Sequence, residues 1–181
     1  MPDTITPSVL PAPRDPDGPY TVSVVCTGNI CRSAMAEVVL IDRLAAAGTP
    51  TSGRGGVVVT SAGVSDEEHG NPIDPRARRL LAERGYGSGS DAAARAVDAA
   101  IVGHAAHRIG DAELAGADLV LAMTRRQVKA LRRRAGPLRA GQKRIQLYRA
   151  YDPLAVGLAT VDLDVPDPWY GDHADFVDTL A

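Results

Sequence analysis

The chain has 181 residues, which suits one ordinary domain with a substantial core and is too short for two full ones. Hydrophobic residues make up 45% and charged residues 23% of the sequence, which argues against both a disordered chain and a coiled coil. The formal net charge of −2 supplies no overall field for collecting nucleic acid or an anionic membrane. Any recognition of phosphate must therefore be local.

Residues 1–19 are rich in Pro and Asp without an apolar period, so we predict a disordered tail followed by a domain over 20–181. Residues 87–102 are small and weakly apolar, which indicates an insertion loop with at most one helical turn. The remaining pattern predicts strands over 20–25, 57–59, 118–123 and 144–147, and helices from Ser33 to Gly48, from Asp74 to Gly85, from Thr124 to Arg134 and from Asp172 onward.

This alternation of strands and helices predicts an α/β fold with a parallel sheet. In such sheets the ligand crevice lies beyond the carboxyl ends of the strands. The loops that follow Val25 and Met123 both belong to that edge. We therefore expect the functional site there.

The informative stretch is V-C-T-G-N-I-C-R-S, residues 25–33. A loop that enters a helix turns several backbone N–H groups toward one point, and the helix dipole adds to their attraction for an anion. Arg32 can offer two parallel hydrogen bonds to phosphate oxygens, and the same field favours the thiolate of Cys26. Ser33 can donate to the Cys26 sulfur, and Gly28 permits backbone angles that a Cβ would forbid. We predict a phosphate site built on an activated cysteine, with the phosphate-binding residues Thr27, Gly28, Asn29, Ile30, Cys31, Arg32 and Ser33.

The loop resembles, residue for residue, the C-x-G-N-x-C-R-S loop of the low-molecular-weight protein tyrosine phosphatase family. The resemblance continues to the C-terminus through VTSAG (59–63), DPRA (74–77), ADLVLAM (117–123) and DVPDPWYGD (164–172). It implies a single domain with a four-stranded parallel sheet flanked by helices. It also implies hydrolysis of phosphotyrosine in a protein substrate through a cysteinyl-phosphate intermediate, with no cofactor and no metal.

Four Asp-Pro pairs occur, and the sequence alone does not single out a general acid among them. The resemblance selects Asp167 as the acid, beside Cys26 and Arg32 as the other catalytic residues. It places Trp169 and Tyr170 on the substrate slot and gives Asn29 the role of supporting the loop. It also suggests that Cys31 forms a reversible disulfide with an oxidised Cys26.

The sequence departs from the family pattern at three places, and each departure affects what the resemblance implies for this chain. Many relatives have an aromatic residue a few positions after SAG, whereas Glu67, Glu68 and His69 stand here, so we expect one wall of the slot to be polar or acidic. The 87–102 segment is longer than usual and precedes His104, which with His107 makes a poor metal site because no Cys or carboxylate pair is nearby. The final helix, with Phe176, is short, which predicts exposed core surface beside it.

Other functions remain open at this stage. A thioredoxin-coupled arsenate reductase needs two more cysteines after Cys31, and the sequence has none. An arginine phosphatase carries Thr where Ile30 stands, and the larger apolar side chain favours an aryl phosphate. A catalytically weak phosphate-binding module is the alternative of another class. The arginines at 125–126 and 132–134 indicate a solvated helix face rather than a nucleic-acid site.

The cysteine content and the N-terminus bear on the compartment. Cys26 and Cys31 are too few for a disulfide scaffold or a four-cysteine zinc site, so a reducing compartment is expected. No stretch has the apolar length of a membrane span, and the N-terminus lacks a signal-peptide pattern. We predict a cytoplasmic protein, monomeric and without a membrane or nucleic-acid partner, with secretion by a signal-less route left open.

Overall fold

A computed structural model of the protein describes residues 9–136, 139–156 and 163–180. Four strands form the sheet, namely β1 (Tyr20–Cys26), β2 (Val57–Gly63), β3 (Leu119–Ala122) and β4 (Ile145–Leu147). The helices are α1 (Arg32–Ala46), α2 (Pro75–Glu83), α3 (Ala92–Val102), α4 (Asp111–Gly116), α5 (Arg125–Arg134), α6 (Arg139–Lys143) and α7 (His173–Leu180), with 3₁₀ turns at Tyr148–Tyr151 and Pro153–Ala155.

All strand pairs are parallel, in the order β2-β1-β3-β4. The register sets Cys26 opposite Gly63 and Val25 opposite Ala122, so the loops after β1, β2 and β3 leave from the same edge. The predicted α/β fold with a four-stranded parallel sheet and flanking helices is confirmed. Because β1 is central, the loop that follows it lies in the middle of that edge.

The sheet is covered on both faces, which explains the unbroken apolar runs in its strands. Successive side chains of a strand point to opposite faces. Val24 packs in a cluster with residues of α1, whereas Val25 packs with Leu114 of α4 and Leu131 of α5. A third cluster lies between α1, α2, α3 and α7, and the ring of Phe176 is fully buried in it.

Two predicted helix starts are confirmed by their caps. The Asp74 side chain accepts from the backbone N–H of Arg76 at 2.8 Å, with Pro75 at the first helical position. Thr124 and Gln127 form a reciprocal capping box at the start of α5. Both starts follow from local side-chain chemistry, which is why the sequence predicts them.

The predicted cap of α1 is wrong. The helix begins at Arg32, and its cap is Cys31, which makes no side-chain hydrogen bond to the helix. Ser33 lies inside the first turn with its side chain fully buried. Its hydroxyl is hydrogen-bonded to a sulfur atom rather than to the helix backbone, as described below.

The predicted loop over 87–102 is also wrong for most of its length, because α3 occupies its second half. Asp91 caps this helix by accepting from the N–H of Ala94 at 2.7 Å. Alanine has the highest helix propensity, and Val97 is fully buried against the third cluster. The weak apolar pattern was misleading because most residues of this helix are small, and Val97 together with the partly buried Ile101 packs it against the third cluster.

The predicted tail divides in two. Residues 1–8 lie outside the described residues, and 9–19 form neither helix nor strand. Within the latter, the Arg14 amide donates to Asp118 at 2.6 Å, and its Nε donates to the carbonyl of Ala117 at 3.1 Å. The hydroxyl of Tyr20 donates to the carbonyl of Pro11 at 3.0 Å. This part of the tail therefore lies against the start of β3.

The terminal helix α7 is better buried than its length suggested. Val177 and Leu180 are partly buried against the third cluster, beside the fully buried Phe176. The exposed core surface expected at this helix is therefore not found on these side chains. Separately, none of the helices in the described ranges combines the length and the apolar character that crossing a membrane requires.

Candidate active site

The Cys26 sulfur lies at the end of β1, where the chain turns into α1. It accepts hydrogen bonds from the Asn29 backbone N–H at 3.3 Å and from the Ser33 hydroxyl at 3.1 Å. The Cys26 side chain is buried and faces the N-terminus of a fifteen-residue helix. Two hydrogen-bond donors and the positive end of the helix dipole thus converge on this one sulfur atom, which places it where a nucleophile would be needed beside a bound anion.

Asn29 has the backbone conformation that makes this loop possible. Its φ is 63°, in the left-handed region that asparagine tolerates better than most residues. The fully buried side chain donates from Nδ2 to the hydroxyls of Ser33 at 3.0 Å and Ser61 at 2.9 Å. Its Oδ1 accepts from the backbone N–H of His107 at 3.1 Å. The amide therefore holds the loop to β2 and to the segment before α4.

A second layer of polar groups supports Asn29 from below. His104 Nε2 lies 2.7 Å from the carbonyl oxygen of Asn29, so this nitrogen must carry a proton. Burial lowers the pKa of His104, which favours the neutral ring. Ser61 donates to the carboxyl group of Glu37, and burial raises the pKa of that carboxyl. These contacts form a continuous path from Glu37 through Ser61 and Asn29 to the loop.

Arg32 and Asp167 are brought together although they are 135 residues apart in the chain. Arg32 is almost fully buried; its Nη1 donates to the carbonyl of Val165 at 3.1 Å, and its Nη2 donates to the carboxylate of Asp167. The side chain of Asp167 is 47% exposed. The guanidinium is therefore fixed beneath the loop, and the carboxylate lies beside it at the open side.

A cleft of about 280 Å³ lies above the loop. Its lining includes the exposed Trp169 and Tyr170, and it also includes the carboxylates of Glu67 and Glu68. The predicted residues that line the cleft are Cys26, Thr27, Gly28, Ile30, Cys31, Arg32, Glu67, Asp167, Trp169 and Tyr170. Asn29 and Ser33 do not line it, because they are fully buried behind the loop. Glu67, where an acidic wall was expected, thus lies in the lining together with Glu68.

Several functional contacts escaped the sequence analysis. Gln127 Nε2 donates to the Thr27 hydroxyl at 3.1 Å, although the sequence indicated only its capping role. Glu68 lies so close to Gly28 that a Cβ there would be 2.8 Å from Glu68 Cγ. Glu37 and Arg76 were also missed. An acid one turn after Ser33, on the same helix, was the available signal for Glu37.

The other titratable groups near the loop have protein partners. Burial raises the pKa of the Cys31 thiol well above its ordinary range, so this cysteine is protonated at neutral pH. His107 Nε2 lies 3.3 Å from Glu113, and His104 contacts the Asn29 carbonyl. Within 9–136, 139–156 and 163–180, no three His, Cys, Asp or Glu side chains are grouped so that they could hold a metal ion.

Comparison with known proteins points to one family. The family model "Low molecular weight phosphotyrosine protein phosphatase" matches residues 21–181. A low molecular weight protein-tyrosine-phosphatase from Streptomyces coelicolor is 38% identical over 161 residues, covering 89% of this chain and 85% of that protein. The structure of YfkJ from Bacillus subtilis has a TM-score of 0.68 at 29% identity, covering 90% and 86%. YwlE, an arginine phosphatase solved with a phosphorylated active-site serine, has a TM-score of 0.64 at 25% identity, covering 89% and 86%.

Substituting Gly63 should displace the phosphate loop. A Cβ at this position would lie 2.5 Å from the backbone carbonyl oxygen of Thr27, which cannot move without shifting the loop. We expect Gly63→Ala to weaken inhibition by inorganic phosphate at least about tenfold, a loss of about 1.4 kcal/mol. Gly116→Ala is the matched control, because nothing lies within 4 Å of its added Cβ. Equal inhibition constants for the two variants would contradict this role of Gly63.

Proposed function

This chain belongs to the low molecular weight phosphotyrosine protein phosphatase family, and we propose that it removes phosphate from phosphotyrosine in proteins through a cysteinyl-phosphate intermediate. The observation that carries the proposal is the convergence of Cys26, Arg32 and Asp167 on one cleft. These side chains supply a nucleophile, a bidentate anion ligand and a proton donor. A phosphomonoester needs all three.

In the first step the thiolate of Cys26 attacks phosphorus, so a P–S bond forms while the P–O bond to the leaving group breaks. The backbone N–H groups from Thr27 to Arg32 and the Arg32 guanidinium hold the phosphoryl oxygens, where negative charge is spread in the transition state. Ser33, 3.1 Å from the sulfur, stabilises the thiolate before attack. The Asn29 side chain supports the loop from its buried side and does not contact the substrate.

Asp167 gives a proton to the leaving oxygen and later takes one from the water that attacks the cysteinyl phosphate. A positioned carboxyl group of this kind contributes about 10²–10⁴-fold to the rate. In the structure this carboxylate is paired with Arg32. When substrate binds, we expect the phosphoryl oxygens to replace Asp167 as the hydrogen-bond partners of the Arg32 guanidinium, because the phosphoryl group is doubly charged and can accept two parallel bonds. That exchange leaves Asp167 free to face the leaving oxygen.

The substrate class follows from the walls of the cleft. The ring of Trp169 can pack against a flat aromatic leaving group, and the apolar Ile30 lines the floor. This favours a phosphotyrosine side chain. The carboxylates of Glu67 and Glu68 would attract a positively charged residue next to the phosphotyrosine in the substrate. The same two carboxylates would also attract a guanidinium group, which makes phosphoarginine the second candidate substrate.

We further propose that Cys31 protects the nucleophile. When Cys26 is oxidised to a sulfenic acid, the thiol of Cys31 would displace water from it to form a disulfide. Both cysteines line the same cleft and are free thiols. Burial raises the pKa of the Cys31 thiol, whereas the Cys26 sulfur accepts two hydrogen bonds, so we expect an oxidant to react first with Cys26. The cytoplasm is a reducing compartment, which suits a nucleophile that must stay reduced, so we expect the enzyme to act there. We also expect it to act as a monomer.

The proposed function is tested by steady-state rates on a phosphotyrosine peptide and a phosphoarginine peptide of the same sequence context, with a chelator present throughout. We expect cleavage of the phosphotyrosine peptide at a kcat/KM at least about tenfold higher, and loss of activity in Cys26→Ser. Higher activity on phosphoarginine would favour the second candidate. Activity that survives in Cys26→Ser would overturn the cysteine mechanism.

Glu67→Trp should improve the binding of aryl phosphates. Glu67 lines the same cleft as Trp169, so a tryptophan here would add a second aromatic side chain to the lining, and one aromatic contact contributes about 1 kcal/mol. We expect the KM for para-nitrophenyl phosphate to fall about fivefold with little change in kcat. Asp66→Trp is the control, since Asp66 is exposed nearby but does not line the cleft. A KM that changes equally in both variants would contradict the assignment of Glu67 to the slot.

A further inference from the structure

The loop that carries Asp167 lies outside the helices and strands, so its position depends on individual hydrogen bonds to the rest of the protein. Its first half is held by several groups: the N–H of Val165 donates to the Met123 carbonyl at 2.8 Å, and Arg32 donates to the Val165 carbonyl. Its second half is held by Arg76 of α2. Nη1 of Arg76 donates to the carbonyl oxygens of Trp169 and Gly171, both at 3.1 Å.

Arg76 is itself held rigidly. The carboxylate of Asp74 accepts from its Nε at 3.0 Å and from its Nη2 at 2.9 Å, so the two planar groups are paired through two parallel hydrogen bonds. Burial acts to raise the pKa of Asp74, but the hydrogen bonds from Arg76 outweigh it and lower the pKa. The guanidinium also lies over the ring of Phe176 at 4.7 Å and over that of Trp169 at 5.7 Å.

The same pair reaches the phosphate loop. The backbone N–H of Asp74 donates to the carbonyl oxygen of Ile30 at 2.9 Å. The contacts therefore run from Ile30 through Asp74 and Arg76 to Trp169. They connect the loop that would hold the phosphoryl group to the loop that carries the acid, and they do so through groups with little freedom to turn.

We propose that Arg76 is a positioning residue that sets where the Asp167 carboxyl group and the Trp169 ring stand relative to Cys26. The inference rests on the proposed role of Asp167 as general acid. Asp167 lies two residues before Trp169, and its Oδ1 accepts from the Trp169 N–H at 3.3 Å, so a shift of Trp169 is passed to the acid. A displacement of about 1 Å in a catalytic group can cost about 10²-fold in rate.

Lysine cannot replace Arg76 in this role. A single ammonium group cannot pair with Asp74 through two parallel bonds, donate to two carbonyl groups and stack on Phe176 at once. Because the first half of the loop keeps its own hydrogen bonds, we expect loss of Arg76 to misplace the acid rather than to unfold the site. The effect should therefore be smaller than loss of Asp167 itself.

The test compares kcat/KM for two substrates whose leaving groups differ in basicity. Phenyl phosphate needs a proton from the enzyme, because phenoxide is a poor leaving group, whereas para-nitrophenyl phosphate needs it much less. We expect Arg76→Ala to lose about tenfold on phenyl phosphate and about twofold on para-nitrophenyl phosphate. Asp167→Asn should show the same difference, only larger. Arg79→Ala, which removes an exposed arginine of α2 paired with Glu83, should leave both values unchanged.

The outcomes separate the inference from the proposed function. If Asp167→Asn loses activity equally on both substrates, the acid is misassigned and the inference fails with it. If Asp167→Asn behaves as expected but Arg76→Ala loses activity equally on both, Arg76 has only a structural role and the inference alone is overturned. If Arg76→Ala folds poorly, Arg76→Lys is used for the same comparison. For either variant, an inhibition constant for inorganic phosphate within about twofold of the parent value verifies that the phosphate loop is intact.

Discussion

The site depends on one backbone constraint, the left-handed conformation of Asn29 in the middle of the phosphate loop. This conformation turns the Asn29 N–H toward the sulfur of Cys26 and its side chain toward β2. An ordinary side chain would find the same backbone costly by about 1 kcal/mol or more and could not supply the three hydrogen bonds that the amide makes. The loop is thus held open to an anion by contacts made on its buried side.

The second requirement is that distant segments meet at this loop. Arg32 at the start of α1 reaches the carboxylate of Asp167, and Gln127 at the start of α5 reaches Thr27. The parallel sheet makes this possible because its strands end at one edge, so each following loop contributes to the same cleft. The acid loop has no strand of its own and depends on arginine side chains, Arg32 on one half and Arg76 on the other.

What could be predicted from the sequence is what depends on neighbouring residues. The loop with Cys26, the caps at Asp74 and Thr124, and the order of strands and helices all follow from short-range patterns. Glu67 in place of an aromatic residue led us to expect a carboxylate at the cleft, and Glu67 is among the residues that line it. The position of Asp167 beside Arg32 was expected only from a family resemblance, because nothing in the local sequence distinguishes it from the other Asp-Pro pairs.

What could not be predicted depends on contacts between residues far apart in the chain. Ser33 looked like a helix cap, but the nearby sulfur of Cys26 competes for its hydroxyl. The segment of α3 looked like a loop because most of its residues are small, so its apolar pattern is weak. The fully buried Val97 nevertheless packs this helix against the core. The support of Asn29 by Ser61 follows from the register of β1 and β2, which sets Val24 opposite Ser61 and which no local pattern encodes.

The most direct test of covalent catalysis at Cys26 is to trap the cysteinyl-phosphate intermediate. Asp167→Asn should slow hydrolysis of the cysteinyl phosphate, so brief reaction with para-nitrophenyl phosphate, followed by an alkaline denaturing quench and peptide mass mapping at alkaline pH, should find one phosphoryl group on the peptide containing Cys26. Cys26→Ala carried through the same procedure should show none. A phosphoryl group on another residue, or turnover by the parent enzyme with no adduct found at any quench time, would contradict covalent catalysis at Cys26.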